Sequence, residues 1–201
     1  MKRLALLTAL LSTAALAQQR DFSKVEIKAT HVAGSVWMLQ GAGGNVAVSV
    51  GDDGIVMVDD EFAPLVPKIK ASLAKISQKP VRFVINTHWH FDHVGGNAQM
   101  ADTAAILAHE NVRKRMQVGA KLLDLTIDPA EPRALPIVTY QQGVSLWLNG
   151  EPVRALHVGR ATPMATRSSS SPRATSCTWA TTSSRTASRS SISIAAAACA
   201  G

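Results

Sequence analysis

Apolar residues along the chain fall in short runs set off by glycine and proline, and their spacing alternates between strand and helix rhythm. Val36–Leu39 and Asn45–Val50 read as strands around a glycine turn, Gly41-Ala42-Gly43-Gly44. Gly54–Asp59 is a third, with an apolar run suited to a buried position. Val66, Ile69, Leu73 and Ile76 then recur at helical spacing, with Lys68, Lys70 and Lys75 largely off that face. That pattern predicts an amphipathic helix, ended by Gln78-Lys79-Pro80. Val81–Asn86 is the next strand and runs straight into the stretch T-H-W-H-F-D-H. Ala104–Ala108 predicts a short strand and Glu110–Val118 a basic helix. Val144–Leu148 and Val153–Val158 alternate around Asn149-Gly150, a dipeptide suited to the positive φ of a hairpin turn. Strands mixed with helices in this way predict an α/β (α+β layered) domain.

Composition divides the chain. At 201 residues and 21.3 kDa there is room for one domain. Hydrophobic residues at 46% with 17% charged exclude disorder throughout. All 14 acidic residues lie between Asp21 and Glu151. From Ala161 onward there is no Asp, Glu or Lys, and 28 of the 41 residues are Ala, Ser or Thr. Most of the net charge of +7 therefore sits outside the body: the tail holds four arginines, and Lys2 and Arg3 precede an apolar leader. A pI near 9.9 of that origin argues against nucleic acid as a partner.

The leader runs apolar from Leu4 to Leu16, and Ala15-Leu16-Ala17 fits a small-x-small cleavage site. Residues 1–17 are expected to be a secretory signal peptide, cut after Ala17. At 13 residues this stretch falls short of the ~20 that span a bilayer, so no membrane association is expected after cleavage. The expected location is periplasmic or secreted. Both cysteines, Cys177 and Cys199, lie in the tail, so the body has neither a disulfide framework nor a thiolate metal site.

The candidate chemistry lies at the exit of the Val81–Asn86 strand. His88, His90, Asp92 and His93 occupy six consecutive residues in a chain with only six histidines. In extended chain, residues i and i+2 project to one side, so His88 and His90 can grip one ion together. Asp92 continues that side, while His93 points elsewhere and can serve a second ion. Imidazole nitrogen and carboxylate oxygen are ligands that zinc takes. Gly95 and Gly96 let the backbone turn tightly beneath the metal, and Asn97 can cap the next helix. His31, His109 and His157 stand alone in sequence and read as surface or packing residues.

The stretch T-H-W-H-F-D-H-V-G-G-N, preceded by the I-V-M-V-D strand and an amphipathic helix, resembles the metallo-β-lactamase superfamily from about Val36 to Val158. The resemblance implies an αββα sandwich, here with only its N-terminal half complete, and one or two metal ions at one edge. Zinc is the implied cofactor, with iron the lesser alternative. His88 and His90 would hold the first ion, and Asp92 and His93 the second. Asp59 matches the family's V-D strand and would support the ligands from behind, although Asp59 and Asp60 fit a plain strand-end turn equally well. The implied activity is hydrolysis of a small molecule by metal-activated water, with Asp92 as the catalytic group that orients the water and takes its proton. A β-lactam, lactone or thioester is the implied substrate class. The alternatives are an iron-dependent redox member of the fold, or an inactive truncated metal-binding protein.

Beyond His157 the chain has no further His, Asp or Glu, whereas the family supplies its remaining ligands there. Read one base out of register, the codons for Ala161–Thr166 permit H-T-D-G-D, with the glycine obligatory. In the same register, those for Cys177–Ser184 permit H-M-G-D-D-F-F, again with the glycine forced. Residues 18–160 are therefore expected to form the domain, left incomplete, and residues 161–201 a low-complexity tail translated out of frame. Such a chain is expected to load zinc weakly and to turn over slowly.

Overall fold

The computed structural model of the chain describes residues 21–122, 125–158 and 192–197. The expected signal peptide and nearly all of the expected tail lie outside them. The first four strands form an antiparallel meander: β1 (Lys28–Ala33), β2 (Val36–Gln40), β3 (Asn45–Gly51) and β4 (Gly54–Val58). A single 3-10 turn at Ala63–Leu65 leads into α1 (Val66–Ala74), with Pro67 in the first turn, where its missing N–H goes unused. β5 (Val81–Asn86) then adds parallel to β4. Two one-turn helices follow, α2 (Phe91–Val94) and α3 (Asn97–Met100), then β6 (Ala105–His109) and α4 (Glu110–Val118). A small hairpin, β7 (Ala120–Leu122) with β8 (Leu125–Ile127), precedes β9 (Val138–Tyr140). The large sheet runs β1-β2-β3-β4-β5-β6-β9, antiparallel up to β4 and parallel beyond it. A second sheet holds β10 (Gly143–Leu148), β11 (Glu151–Val158) and β12 (Ile192–Ala197).

The central strands are buried on both faces, which is why they read as unbroken apolar runs rather than alternating ones. Val46, Val48, Ile55, Met57, Val84 and Ile106 point to one face and pack under Val66, Ile69 and Leu73 of α1. Ala47, Val56, Val58, Ile85 and Leu107 point to the other and meet Leu148, Val153 and Ala155 of the second sheet. Helix, sheet and sheet are thus stacked in the order of an αββα sandwich. On the outer face of the second sheet Trp147 is 66% exposed and Leu156 is also exposed.

The hairpin turn is as the sequence predicts, with Asn149 at φ 56 and Gly150 at φ 76. Asn149 also ties the two sheets together, through its backbone and its side chain. Asn149 N–H donates to Asp53 Oδ2 at 2.7 Å, and Asp53 N–H donates back to Asn149 Oδ1 at 3.0 Å. Several elements were not expected from the sequence, the β7–β8 hairpin among them. β1 is an exposed edge strand with no apolar rhythm, formed by pairing with β2. β9 is three residues long and exists through its pairing with β6. β12 lies within the expected tail and pairs in parallel with β11, Val153 opposite Ile192.

Candidate metal centre

β4 is the strand at which the large sheet changes from antiparallel to parallel pairing. Beside the carboxyl ends of β4 and β5 the chain places its densest group of titratable side chains, the position at which open α/β sheets bind ligands. From β4 come Asp59, Asp60 and Glu61, which are 3%, 0% and 1% exposed. From the loop after β5 come Thr87, His88 and His90, and from α2 come Asp92 and His93. Asp59 and Glu61 both sit at φ 63, a region non-glycine residues enter sparingly. The strained turn is fixed by pairing: Asp59 N–H donates to Ile85 O and Asp60 N–H to His93 O, each at 3.0 Å.

Asp59 organises two histidines. Its Oδ1 accepts Thr87 N–H at 2.8 Å, and its Oδ2 accepts Thr87 Oγ1–H at 2.7 Å and His93 Nδ1–H at 2.8 Å. With the hydroxyl proton spent on Asp59, Thr87 Oγ1 can only accept from His88 Nδ1, 3.0 Å away. The network thus assigns the proton to Nδ1 on His88 and His93 alike, leaving the Nε2 lone pair of each available. The His88 ring lies 4.6 Å from that of His90 and 4.0 Å from that of His93, centre to centre. Asp92 Oδ2 is 3.6 Å from His93 Nε2.

Electrostatics separate these groups. Burial, with the His93 charge adding to it, pushes His88 down to about 4, and burial also lowers His90. Burial works against a charge on His93 too, but its bond to Asp59 and the charges of Asp59, Asp92 and Glu61 together raise it. Burial pushes the Glu61 carboxyl up to about 7, against the Gly43 hydrogen bond that lowers it. It also lifts Asp60 well above the usual carboxylate range.

The donor set suits a borderline divalent cation: imidazoles with Nδ1 committed to Asp59 and Thr87, beside a partly exposed carboxylate. Among the described residues, however, no group of three or more His, Cys, Asp or Glu is arranged to hold a metal ion as the side chains stand.

Several details differ from the extended-chain expectation. β5 ends at Asn86, and Asp92 and His93 sit in the helical turn of α2, so the His93 ring turns toward His88 rather than away from it. Gly95 and Gly96 have ordinary helical φ. They serve by lacking a Cβ, which would lie 2.8 Å from Glu61 O at Gly95 and 2.8 Å from Asp60 O at Gly96. Asn97 does not cap α3 but pairs reciprocally with Asn86, Nδ2 to Oδ1 at 2.9 and 3.1 Å, and donates to Ala134 O. His109 and His157 do not stand apart: their rings lie 4.2 Å from each other. His109 is structural, its Nδ1 capping α4 at Asn111 N and its Nε2 donating to Gln141 O. His31 Nε2 donates to Gly34 O at 2.9 Å in the turn after β1, and its ring packs edge-on against Trp37. Glu61 and Thr87 were missed, and the run Asp59-Asp60-Glu61 at the end of an apolar strand was the available signal for Glu61.

The fold and part of the sequence have known counterparts. A metallo-beta-lactamase of Cronobacter sakazakii with a HARLDQ motif superposes with a TM-score of 0.55 at 16% identity, over 70% of this chain and 66% of that one. A subclass B3 metallo-beta-lactamase of Bradyrhizobium japonicum gives 0.54 at 21% identity, over 63% and 50%. The Legionella gormanii metallo-beta-lactamase gives 0.55 at 19%, over 63% and 51%. In sequence, the chain is 35% identical over 82 residues to the alpha subunit of 2,4-dinitroanisole O-demethylase from Nocardioides sp. (strain JS1661). That match takes in 39% of this chain, which spans a quarter of the relative's length. The metallo-beta-lactamase superfamily model matches residues 30–163, from β1 through β11 and over every side chain of the site. By that match, the chain belongs to the metallo-beta-lactamase superfamily.

Proposed function

We propose that the chain is an exported, zinc-dependent hydrolase of a small carbonyl substrate, impaired by the composition of its C-terminal part. The observation that carries the reading is the Asp59–Thr87 relay, which commits Nδ1 of both His88 and His93 and frees Nε2 of each. Polar partners that fix ring orientation and tautomer in this way are what histidine ligands need. His88 and His90 would hold one ion, and Asp92 with His93 a second. Zinc in this place supplies Lewis acidity toward a carbonyl and lowers the pKa of water to about 7. The chain's own residues do the rest. Asp59 keeps His93 oriented, and burial keeps His88 unprotonated at neutral pH. The Asp92 carboxylate, about a third exposed, would accept a hydrogen bond from an attacking water and then hold its proton. Phe91, 41% exposed between His90 and Asp92, gives the mouth of the site an apolar surface.

Four candidate ligands without the family's later ones support weak binding rather than none. Cys177 and Cys199 are the only other ligand-type side chains beyond His157. The test is a zinc titration of the purified full chain against a competing chelator, run beside hydrolysis assays on a β-lactam, a lactone and a thioester. Zinc uptake abolished by His88→Ala with His90→Ala, with slow turnover of one substrate, is expected. Uptake unaffected by that double substitution, or two tightly held ions with full turnover, would overturn the reading. Iron retained in preference to zinc would turn it toward redox chemistry.

A further inference from the structure

Glu61 makes contacts that no sequence motif announces. It follows β4 by three residues, is held at φ 63, and is 1% exposed. Its Oε2 accepts Gly43 N–H at 2.9 Å, while Oε1 is buried without a hydrogen-bond partner. A buried carboxylate in a strained backbone is costly on both counts. What it faces is the loop between β2 and β3, Gly41-Ala42-Gly43-Gly44. The outer side of that loop is largely exposed, and its inner side leaves no room for a side chain. A Cβ at Gly41 would lie 2.8 Å from Glu61 Oε1. At Gly43 it would lie 2.6 Å from Glu61 Oε2 and 2.9 Å from Asp92 Cβ, and at Gly44 2.5 Å from His93 Cε1. The His93 ring therefore packs along its Nδ1–Cε1–Nε2 edge against the Gly44 backbone, while Asp59 Oδ2 holds Nδ1 at 2.8 Å.

We propose that Glu61 is a positioning residue that draws the Gly41–Gly44 loop onto Asp92 and His93, fixing the ring and the carboxylate in place. Its effect on metal affinity rests on the reading of those two residues as ligands; its effect on the loop and on the His93 ring does not. A carboxylate serves here where an apolar side chain would not, because the Gly43 N–H points inward and needs an acceptor. The glycines serve because only a bare backbone can come this close to an imidazole that Asp59 already holds.

The test uses the full chain, metal-free and nitrogen-15 labelled, as wild type, Glu61→Gln and Glu61→Ala. Amide exchange at Gly43 is expected to speed up about 10-fold or more in Glu61→Ala, with the His93 ring signals displaced. Glu61→Gln keeps an acceptor of the same shape without the charge. It should restore most of the protection, with the Gly43 proton shifted upfield. Zinc affinity by chelator competition should fall about 10-fold in Glu61→Ala and recover in part in Glu61→Gln, a loss typical of residues that orient ligands. A wild-type chain that takes up no zinc defeats the metal reading alone, and the Gly43 and His93 signals still decide the role of Glu61. Should Glu61→Ala fail to fold, the Gly43 shift in Glu61→Gln decides it. Signals unchanged from wild type in the folded variants would overturn the proposal, as would unchanged zinc affinity in a folded Glu61→Ala chain that does bind zinc.

Discussion

Asp59→Asn is nearly isosteric and adds no backbone strain, since asparagine tolerates the φ of 63 found there. Its Oδ1 can go on accepting Thr87 N–H, but an NH₂ group now stands where Oδ2 received two protons, from Thr87 Oγ1 and His93 Nδ1. Donors then face donors. The clash is relieved if the Thr87 hydroxyl accepts from the new amide and donates to His88 Nδ1, and if His93 Nδ1 accepts likewise. Both rings must then carry the proton on Nε2, the nitrogen required for coordination. Exchanging two charge-assisted hydrogen bonds for neutral ones loses about 1 kcal/mol each, so the fold should weaken by about 2 kcal/mol in all. Metal affinity should fall by more than the stability change suggests, about 10- to 100-fold, because each ring must first return to the disfavoured tautomer. Long-range proton–nitrogen NMR of the imidazoles reads the tautomers directly, and chelator competition reads the affinity. An Asp59→Asn chain with both rings still protonated at Nδ1 and wild-type affinity would refute the reasoning.

Asp60, buried among two other acids, has its pKa raised chiefly by burial. A carboxyl raised in the folded state keeps its proton there after the unfolded chain has released it, so stability falls as pH climbs from about 4 toward the folded value. Asp60→Asn should therefore stabilise the metal-free chain by about 1–3 kcal/mol at pH 8 and change little at pH 4, read by denaturant unfolding at both values. Asn97→Ala strips the reciprocal amide pair with Asn86 and leaves a buried amide and the Ala134 carbonyl unpaired, at a cost of about 2–4 kcal/mol in the unfolding midpoint. Sequencing the gene from codon 155 onward should find the alternative frame open and carrying H-T-D-G-D and M-G-D. Restoring it by one base should then raise zinc affinity at least 10-fold.

Elements driven by local rhythm were legible in the sequence: the buried strands β3 to β5, the face of α1, the bounds of α4 and the Asn149-Gly150 turn. Elements defined by a partner were not. β1 and β9 owe their existence to the strands beside them, and neither has a pattern of its own. The site divides along the same line. Four ligand-type residues within six positions announce themselves, and the V-D match directed attention to Asp59 but could not separate support from a strand-end turn. The hydrogen bonds from Asp59 to His93 and Thr87 join residues 34 and 28 positions apart, a separation at which no local pattern reports contact. Glu61 stood in a visible acidic run, but its role was illegible for the same reason, because its partner Gly43 lies 18 positions back on the preceding hairpin. The expected cap at Asn97 failed because a buried amide 11 residues away competed for the same side chain.

The most direct test of the metal centre is zinc K-edge absorption on the full chain loaded with one equivalent of zinc. The account predicts nitrogen and oxygen neighbours at about 2.0–2.2 Å, with the outer-shell scattering of at least two imidazoles. That imidazole signal should be lost in the chain carrying both His88→Ala and His90→Ala. A sulfur shell at about 2.3 Å, placing the ion on Cys177 or Cys199, would contradict it, as would a spectrum with no imidazole component.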